Sequence, residues 1–264
     1  MANRLITFTT DFGLSDHFVG VMKGVVAGIA PVARVIDISH DVAPYNVTEA
    51  AFIIAEAWPY FPKRTIHVVV VDPGVGSARR PILAEAGGHF FIAPDNGVLS
   101  MVFEREDDII VRHANVEHYY LSPMSKTFHG RDVFAPVAAW LTKGWQTASM
   151  GEEISDYKKF SMPRPKEADG GLKGVVLRVD AFGNLITNFR AEHLPAAAQE
   201  NGNFLLQVGA YEVKKLVDTF AQGVVGEPIA YIGSSGFIEI GVNKGSAART
   251  LSLGRGTPVV LPKK

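Results

Sequence analysis

Residues 66–76, IHVVVVDPGVG, set the fold class. The run is nearly all β-branched until Asp72 and Pro73 break it, the pattern of a central strand buried on both faces and ending in a turn. Toward the N-terminus, Leu5 to Thr9 and Val35 to Ile38 are further short strand patterns, separated by an apolar helical pattern from about Asp16 to Ile29. A second helix is predicted after Asn46, which can cap it with Glu49 three residues on, and Pro59 and Pro62 disfavour its continuation. Strands alternating with helices in this order predict a largely parallel sheet. In such sheets the carboxyl ends of the strands form the ligand crevice, and both Asp11 and Asp72 directly follow an apolar strand.

The stretch GEEISDYKKFSMPRPKEADGG, residues 151–171, is polar and without sustained periodicity, so it reads as a linker. We divide the chain into an α/β domain over 1–155, a linker over 156–171 and a second domain over 172–264. After the linker, GVVLRVD, NFLLQV, YEVKKL, FIEIGVN and TPVVL are short strand patterns separated by turn residues, with one helical patch near Glu192 to Gln199. A small β-barrel or sandwich is expected there.

Composition narrows the partners. Nearly half of the 264 residues are apolar, enough for a sizeable core, and the formal net charge is −1, which supplies no general field for nucleic acid or an anionic membrane. Without cysteine there is no disulfide, thiolate nucleophile or zinc-thiolate site, and a cytoplasmic protein is the expectation. The opening MANRLITFTTDF lacks the pattern of a signal peptide, and no apolar run approaches the roughly 20 residues of a membrane helix.

Five clusters carry residues suited to chemistry. In TTDFGLSDH, Asp11 is suited to accept hydrogen bonds from a ribose diol or, equally, to cap the following helix. Asp16 and His17 in the same cluster are too few to specify a metal, and Asp16 reads as an N-cap. In VVVVDPGVGSARR a glycine turn separates Asp72 from Arg79; this is neither a Walker pattern nor a dinucleotide fingerprint, and taken alone it reads as a structural ion pair at a strand end before a reactive one. In KTFHGRDVFAPVAAWL, His129 stands at the start of a helical pattern whose backbone donors would lower the pKa of an imidazolium, a setting for a base or an orienting group. VDAFGNLITN places Asp180, Phe182 and Asn184 around Gly183, either as ligand contacts or as a β-turn with Phe182 in the core. YIGSSGFIEIGVNKGSA sets Ser234, Ser235 and Asn243 near strand ends, and without a G-x-S-x-G arrangement a serine nucleophile is not expected.

Together with PDNG at Pro94 to Gly97, these segments resemble, in order and over nearly the whole chain, the S-adenosylmethionine hydroxide adenosyltransferase family, related to fluorinating and chlorinating adenosyl enzymes. The resemblance implies an N-terminal α/β domain, a C-terminal β-barrel domain and a homotrimer with sites between subunits. It implies hydrolysis of S-adenosylmethionine to adenosine and methionine by water attack at the ribose C5′, with no metal or other cofactor. By motif correspondence Asp72, Arg79 and His129 look like the water-activating set and Asp11 like the ribose-binding carboxylate. Asp180, Phe182, Asn184, Ser234 and Asn243 match adenosine-pocket positions, and Tyr45 matches an aromatic wall residue. The halogenating relatives carry Tyr in place of Asp72 and Tyr-Ser in place of His129 and Gly130, so water is the expected nucleophile. A 5′-halogenase, a non-catalytic sensor of S-adenosylmethionine or adenosine, and a metal-dependent phosphatase using Asp11, Asp16, His17 and Asp72 are the competing readings.

Overall fold

A computed structural model describes residues 5–194 and 204–263, which divide into two compact units, Met1–Ser161 and Met162–Lys264. The first unit is α/β. Its strands are β1 (Leu5–Thr10), β2 (Arg34–Ser39), β3 (Ile66–Val70), β4 (Pro81–Ala86), β5 (His89–Pro94) and β6 (Ile109–His113). Its α-helices include α1 (Phe18–Ile29), α2 (Val47–Ala57), α3 (Ser100–Phe103) and α4 (Ala135–Thr142). The sheet order is β2-β1-β3-β5-β4-β6, with β2, β1, β3 and β5 parallel and β4 antiparallel to both β5 and β6.

The valine run does what its composition dictates. Val68 and Val70 enter a core with Ile6, Phe8, Met22 of α1 and Val137 of α4, while Val69 and Val71 enter another with Ile54 of α2 and Phe91. Alternate side chains therefore leave the strand on opposite faces, each covered by helices, and each buried valine contributes on the order of 1.5–3 kcal/mol. The chain leaves β1 for β2 on one side and returns to β3 on the other, so the gap between the ends of β1 and β3 is the topological switch point. Thr9 pairs with Val69 and Thr10 with Val70. Asp11 and Asp72 thus emerge from adjacent strands at that gap.

Local boundaries differ from the periodicity in one respect. Helix α1 starts at Phe18, and Asp16 does not cap it: the capping position is His17, which makes no side-chain cap bond. Asn46 does cap α2, accepting the Glu49 N–H at 3.2 Å.

The second unit is antiparallel, with β8 (Gly171–Val179), β9 (Leu185–Arg190), β10 (Leu206–Val208), β11 (Tyr211–Val213), β12 (Pro228–Ile232), β13 (Phe237–Val242) and β14 (Pro258–Pro262) in the order β11-β10-β14-β8-β9-β13-β12. The segment after β11 pairs back onto β12 through Leu216 and Ala230, which nearly closes a barrel around Val176, Leu185, Phe189, Ile238, Ile240 and Val259. Ahead of these strands, within the polar stretch 151–171, β7 (Lys166–Ala168) pairs with β8. Strands β9 and β12 were not legible as separate patterns. Of the helical patch expected at 192–199, the described part is a short 3-10 turn, Ala191–His193, and the rest lies outside the described residues, as does Asn203 of the NFLLQV pattern. A short helix, α5 (Ala247–Leu251), stands where none was expected.

Candidate active site

Asp11 does not cap a helix. Its Oδ2 accepts the backbone N–H of Tyr45 at 2.8 Å, which ties the loop after β1 to the loop before α2. Tyr45 holds φ at +65°, uncommon for a bulky residue, and is 73% exposed, so the chain presents a large ring at this opening at some backbone cost.

Asp72, Arg79 and His129 form one connected unit. After β3 the chain winds through a turn in which Val75 N–H bonds the Asp72 carbonyl, and Ser77 bonds the Gly74 carbonyl and accepts the Arg79 N–H. The turn carries Arg79 back onto Asp72: Nε donates to Oδ2 at 2.8 Å, and Nη2 lies 2.5 Å from the same oxygen. Nη2 also donates to His129 Nδ1 at 2.6 Å. Both side chains of the ion pair are about 5% exposed. The guanidinium lies over the Phe134 ring, 5.3 Å from its centroid.

His129 precedes a π-helical turn, Gly130–Phe134, that leads into α4. Burial, then the Arg79 charge, pushes the His129 pKa below its ordinary value, so the ring is neutral at pH 7. Because Nδ1 receives the arginine proton, the ring proton is assigned to Nε2. Asp72 Oδ2 is saturated by Arg79, whereas Asp72 Oδ1 is buried and has no hydrogen-bond partner among the described residues. That is a buried acceptor awaiting a donor.

Gly76 fixes how closely this turn approaches the segment before His129. Its φ is +74°, and a Cβ there would overlap the Lys126 carbonyl oxygen, which is backbone and cannot swing aside. Gly76→Ala is expected to cost about 1–3 kcal/mol through backbone strain and to lower the melting temperature by several degrees, read by thermal unfolding. An unchanged melting temperature would show that the two segments tolerate separation.

A cavity of about 350 Å³ opens at this point. Asp11, Tyr45, Asp72 and His129 line it, with Phe12, Phe18, Phe128 and Val75 supplying apolar wall. Arg79 is not among the lining residues; it stands behind Asp72 and His129. The three phenylalanine rings touch one another, with centroids 5.2–6.0 Å apart. Sequence reasoning passed over them, although Phe12 and Phe128 sit inside the motifs that supplied Asp11 and His129. A mainly apolar wall with a few convergent polar groups is the usual make-up of a small-molecule site.

In the second unit, Asp180 Oδ1 accepts the N–H groups of Phe182 at 2.9 Å and Asn184 at 2.8 Å, and Oδ2 accepts Asn184 Nδ2 at 2.8 Å. Asp180 therefore shapes the turn. Phe182 is 80% exposed, so it is not a core residue and its ring faces are free to stack. Asn243 Nδ2 donates to the Gly223 carbonyl at 2.9 Å. Leu185 pairs with Ile240, which puts Asn184 and Asn243 toward the same end of the β9-β13 pair. Ser234 lies beyond the other end of the six-residue β13, about 20 Å away at the usual rise per residue. Asp180, Phe182 and Asn184 therefore share one turn, with Asn243 toward the same end of the strand pair and Ser234 in the turn before β13.

Among the described residues no group of three or more His, Asp or Glu side chains is placed to hold a metal ion. No helix among them is long and apolar enough to cross a membrane.

Comparison with known proteins places this geometry in context. The family model of the SAM hydroxide adenosyltransferase N-terminal domain matches residues 6–151, and that of the C-terminal domain matches residues 174–260. Curated relatives named (R)-S-adenosyl-L-methionine hydrolase include one from Thermus thermophilus, 37% identical over 98% of this chain and 99% of its own length. Another, from Salinispora arenicola, is 40% identical over 94% of both chains. A solved structure of an uncharacterised conserved protein from Thermotoga maritima superposes with a TM-score of 0.91 at 36% identity, covering 98% of this chain and 100% of that one. With both domain models matched in order and the acidic ends of β1 and β3 facing one cavity, the chain belongs to the SAM hydroxide adenosyltransferase family.

Proposed function

We propose that this protein hydrolyses S-adenosyl-L-methionine to adenosine and L-methionine, and that its preferred substrate is the (R) sulfonium epimer in the names of its relatives. The observation that carries the water-activating role is Asp72: a buried carboxylate in the cavity wall with one oxygen saturated by Arg79 and the other unpartnered. Water donating to Oδ1 would be held and polarised. As its oxygen bonds to C5′ and the C5′–S bond breaks, one proton passes to Asp72 and the other stays on the new hydroxyl of adenosine. Methionine leaves as a neutral thioether, so no acid is needed at sulfur.

Arg79 holds Asp72 in one rotamer. It also holds His129 with its Nε2–H available to a substrate or water oxygen. Asp11 is assigned to the ribose hydroxyls and Tyr45 to the wall. Asp180, Phe182, Asn184 and Asn243 are assigned to the adenosine, with Phe182 stacking on the base; Ser234 rests on the family resemblance alone. An anion at Asp72 Oδ1 opposes a halide at the same place, which favours hydrolysis over halogenation. We further propose a cytoplasmic homotrimer that needs no metal or other cofactor; a solution mass three times that of the chain would support the assembly.

The metal-free protein should be given each sulfonium epimer separately, in chloride-free and chloride-containing buffer made with ¹⁸O water. Adenosine labelled at its 5′ oxygen, formed faster from the (R) epimer and independent of chloride, is the expected result. A chloroadenosine product would make the protein a halogenase, and tight binding without turnover would make it a sensor.

A further inference from the structure

Behind the Asp11 loop lies a hydrogen-bonded chain that the reaction scheme does not use. Thr10, fully buried at the end of β1, bonds His40 Nδ1 through Oγ1 at 2.8 Å. His40, also buried, has Nε2 3.1 Å from Asp37 Oδ1, and Asp37 Oδ2 in turn receives Lys23 Nζ at 2.6 Å. The His40–Asp37 contact is close but poorly aligned, so the carboxylate orients the ring through its charge more than through a straight hydrogen bond. With the proton held on Nε2 by Asp37, Nδ1 accepts the Thr10 hydroxyl, and Thr10 Oγ1 accepts the Phe12 N–H at 3.2 Å. From the Phe12 N–H to the Thr10 hydroxyl to His40 Nδ1 the donors run in one direction.

The residue types and order match an Asp-His-hydroxyl triad, yet Thr10 is not a nucleophile: it is fully buried and is not among the residues lining the cavity. The chain acts on the backbone instead. His40 grips the loop twice, through its ring to Thr10 and through its carbonyl, which accepts the Gly13 N–H at 2.8 Å. Gly13 turns at φ +66° to present that N–H. Between the two grips lie Asp11 and Phe12, both in the cavity wall. Five residues past His40, Tyr45 donates its N–H to Asp11.

We propose that His40, oriented by Asp37 and acting through Thr10, is a positioning residue that sets Asp11 for substrate binding. This rests on Asp11 contacting the substrate. A residue acting only through Asp11 has nothing left to position once that carboxylate is gone, so the two substitutions should be non-additive.

The test is a double-substitution cycle on the full-length protein with S-adenosylmethionine, measuring KM, kcat and melting temperature for Asp11→Ala, His40→Phe and the pair. Thr10→Val and His40→Gln serve as milder variants should His40→Phe fail to fold. His40→Phe and Thr10→Val are each expected to raise KM roughly tenfold, the size of one lost hydrogen bond to a charged group, with kcat little changed. His40→Gln, which keeps an acceptor for Thr10, should restore part of the loss. In the Asp11→Ala background neither substitution should raise KM further. Full additivity, or a wild-type KM in Thr10→Val and His40→Phe, would overturn the positioning role while leaving Asp11 as a substrate contact. A wild-type KM for Asp11→Ala itself would remove the ribose assignment and, with it, this inference.

Discussion

Replacing Asp72 by Asn is expected to lower kcat by about 10²- to 10⁴-fold, the range lost when a positioned proton acceptor is removed, while substrate binding persists. The amide keeps the shape of the side chain, and its oxygen can still accept from Arg79. It cannot take a proton from water, and its NH₂ group directed at the position of Oδ1 would replace an acceptor with a donor. The substitution also leaves the Arg79 guanidinium, about 5% exposed, without an anion. Breaking a buried pair from one side typically costs about 3–5 kcal/mol of stability, so turnover must be measured below the variant's melting temperature, with binding followed by calorimetry. A folded Asp72→Asn protein that binds S-adenosylmethionine and turns it over at the wild-type rate would remove Asp72 from the chemistry. Arg79→Lys should fall between the two, since an ammonium retains charge near Asp72 but cannot bond Asp72 and His129 from one planar group.

Much of the first unit was legible because its signals are local and strong. The β-branched run of β3 requires burial on both faces, and the structure supplies two separate cores for its alternate side chains. From that strand and the strand-helix order, the placing of Asp11 and Asp72 at neighbouring strand ends followed. The bond from Arg79 to His129 did not follow, because 50 residues separate them in sequence and the contact is made only in the fold. The orphaned Oδ1 of Asp72 was equally invisible, since it depends on which oxygen the arginine takes. Asp16 misled for a simpler reason: a carboxylate just before an apolar run suits an N-cap, but α1 begins one residue too late to use it. In the second unit Phe182 was ambiguous between core and surface because a single aromatic next to glycine carries no periodicity.

Acidification below pH 6.5 should destabilise the fold through a pair of histidines far from any role proposed above. His67 and His89 lie on β3 and β5, 0% and 1% exposed, packed against Phe91 and Trp58. His67 Nδ1 bonds Thr7 Oγ1 at 2.7 Å, and His67 Nε2 lies 3.2 Å from His89 Nδ1, a chain satisfied by two neutral rings. Burial, then the charge of His89, lowers the His67 pKa to about 3; burial, then the charge of Lys63, lowers that of His89 to about 4. In the unfolded chain both would protonate near pH 6.5. Below that pH the unfolded state binds protons that the native state refuses, so this stability is fully present above pH 6.5 and is lost as pH falls toward the folded values. At pH 5 the loss is about 2 kcal/mol per histidine, a sizeable share of a total that is typically about 5–15 kcal/mol. Urea unfolding midpoints between pH 7.5 and 5 measure it, a window above the range where exposed carboxylates titrate. His129 and His113, also held below their ordinary values, add to the slope, so the comparison that isolates the pair is with Thr7→Val/His67→Leu. That variant should be less stable at pH 7.5 but should lose less on acidification. If wild type and variant show the same slope between pH 6.5 and 5, the buried pair accepts protons in the native state and the two rings do not require neutrality.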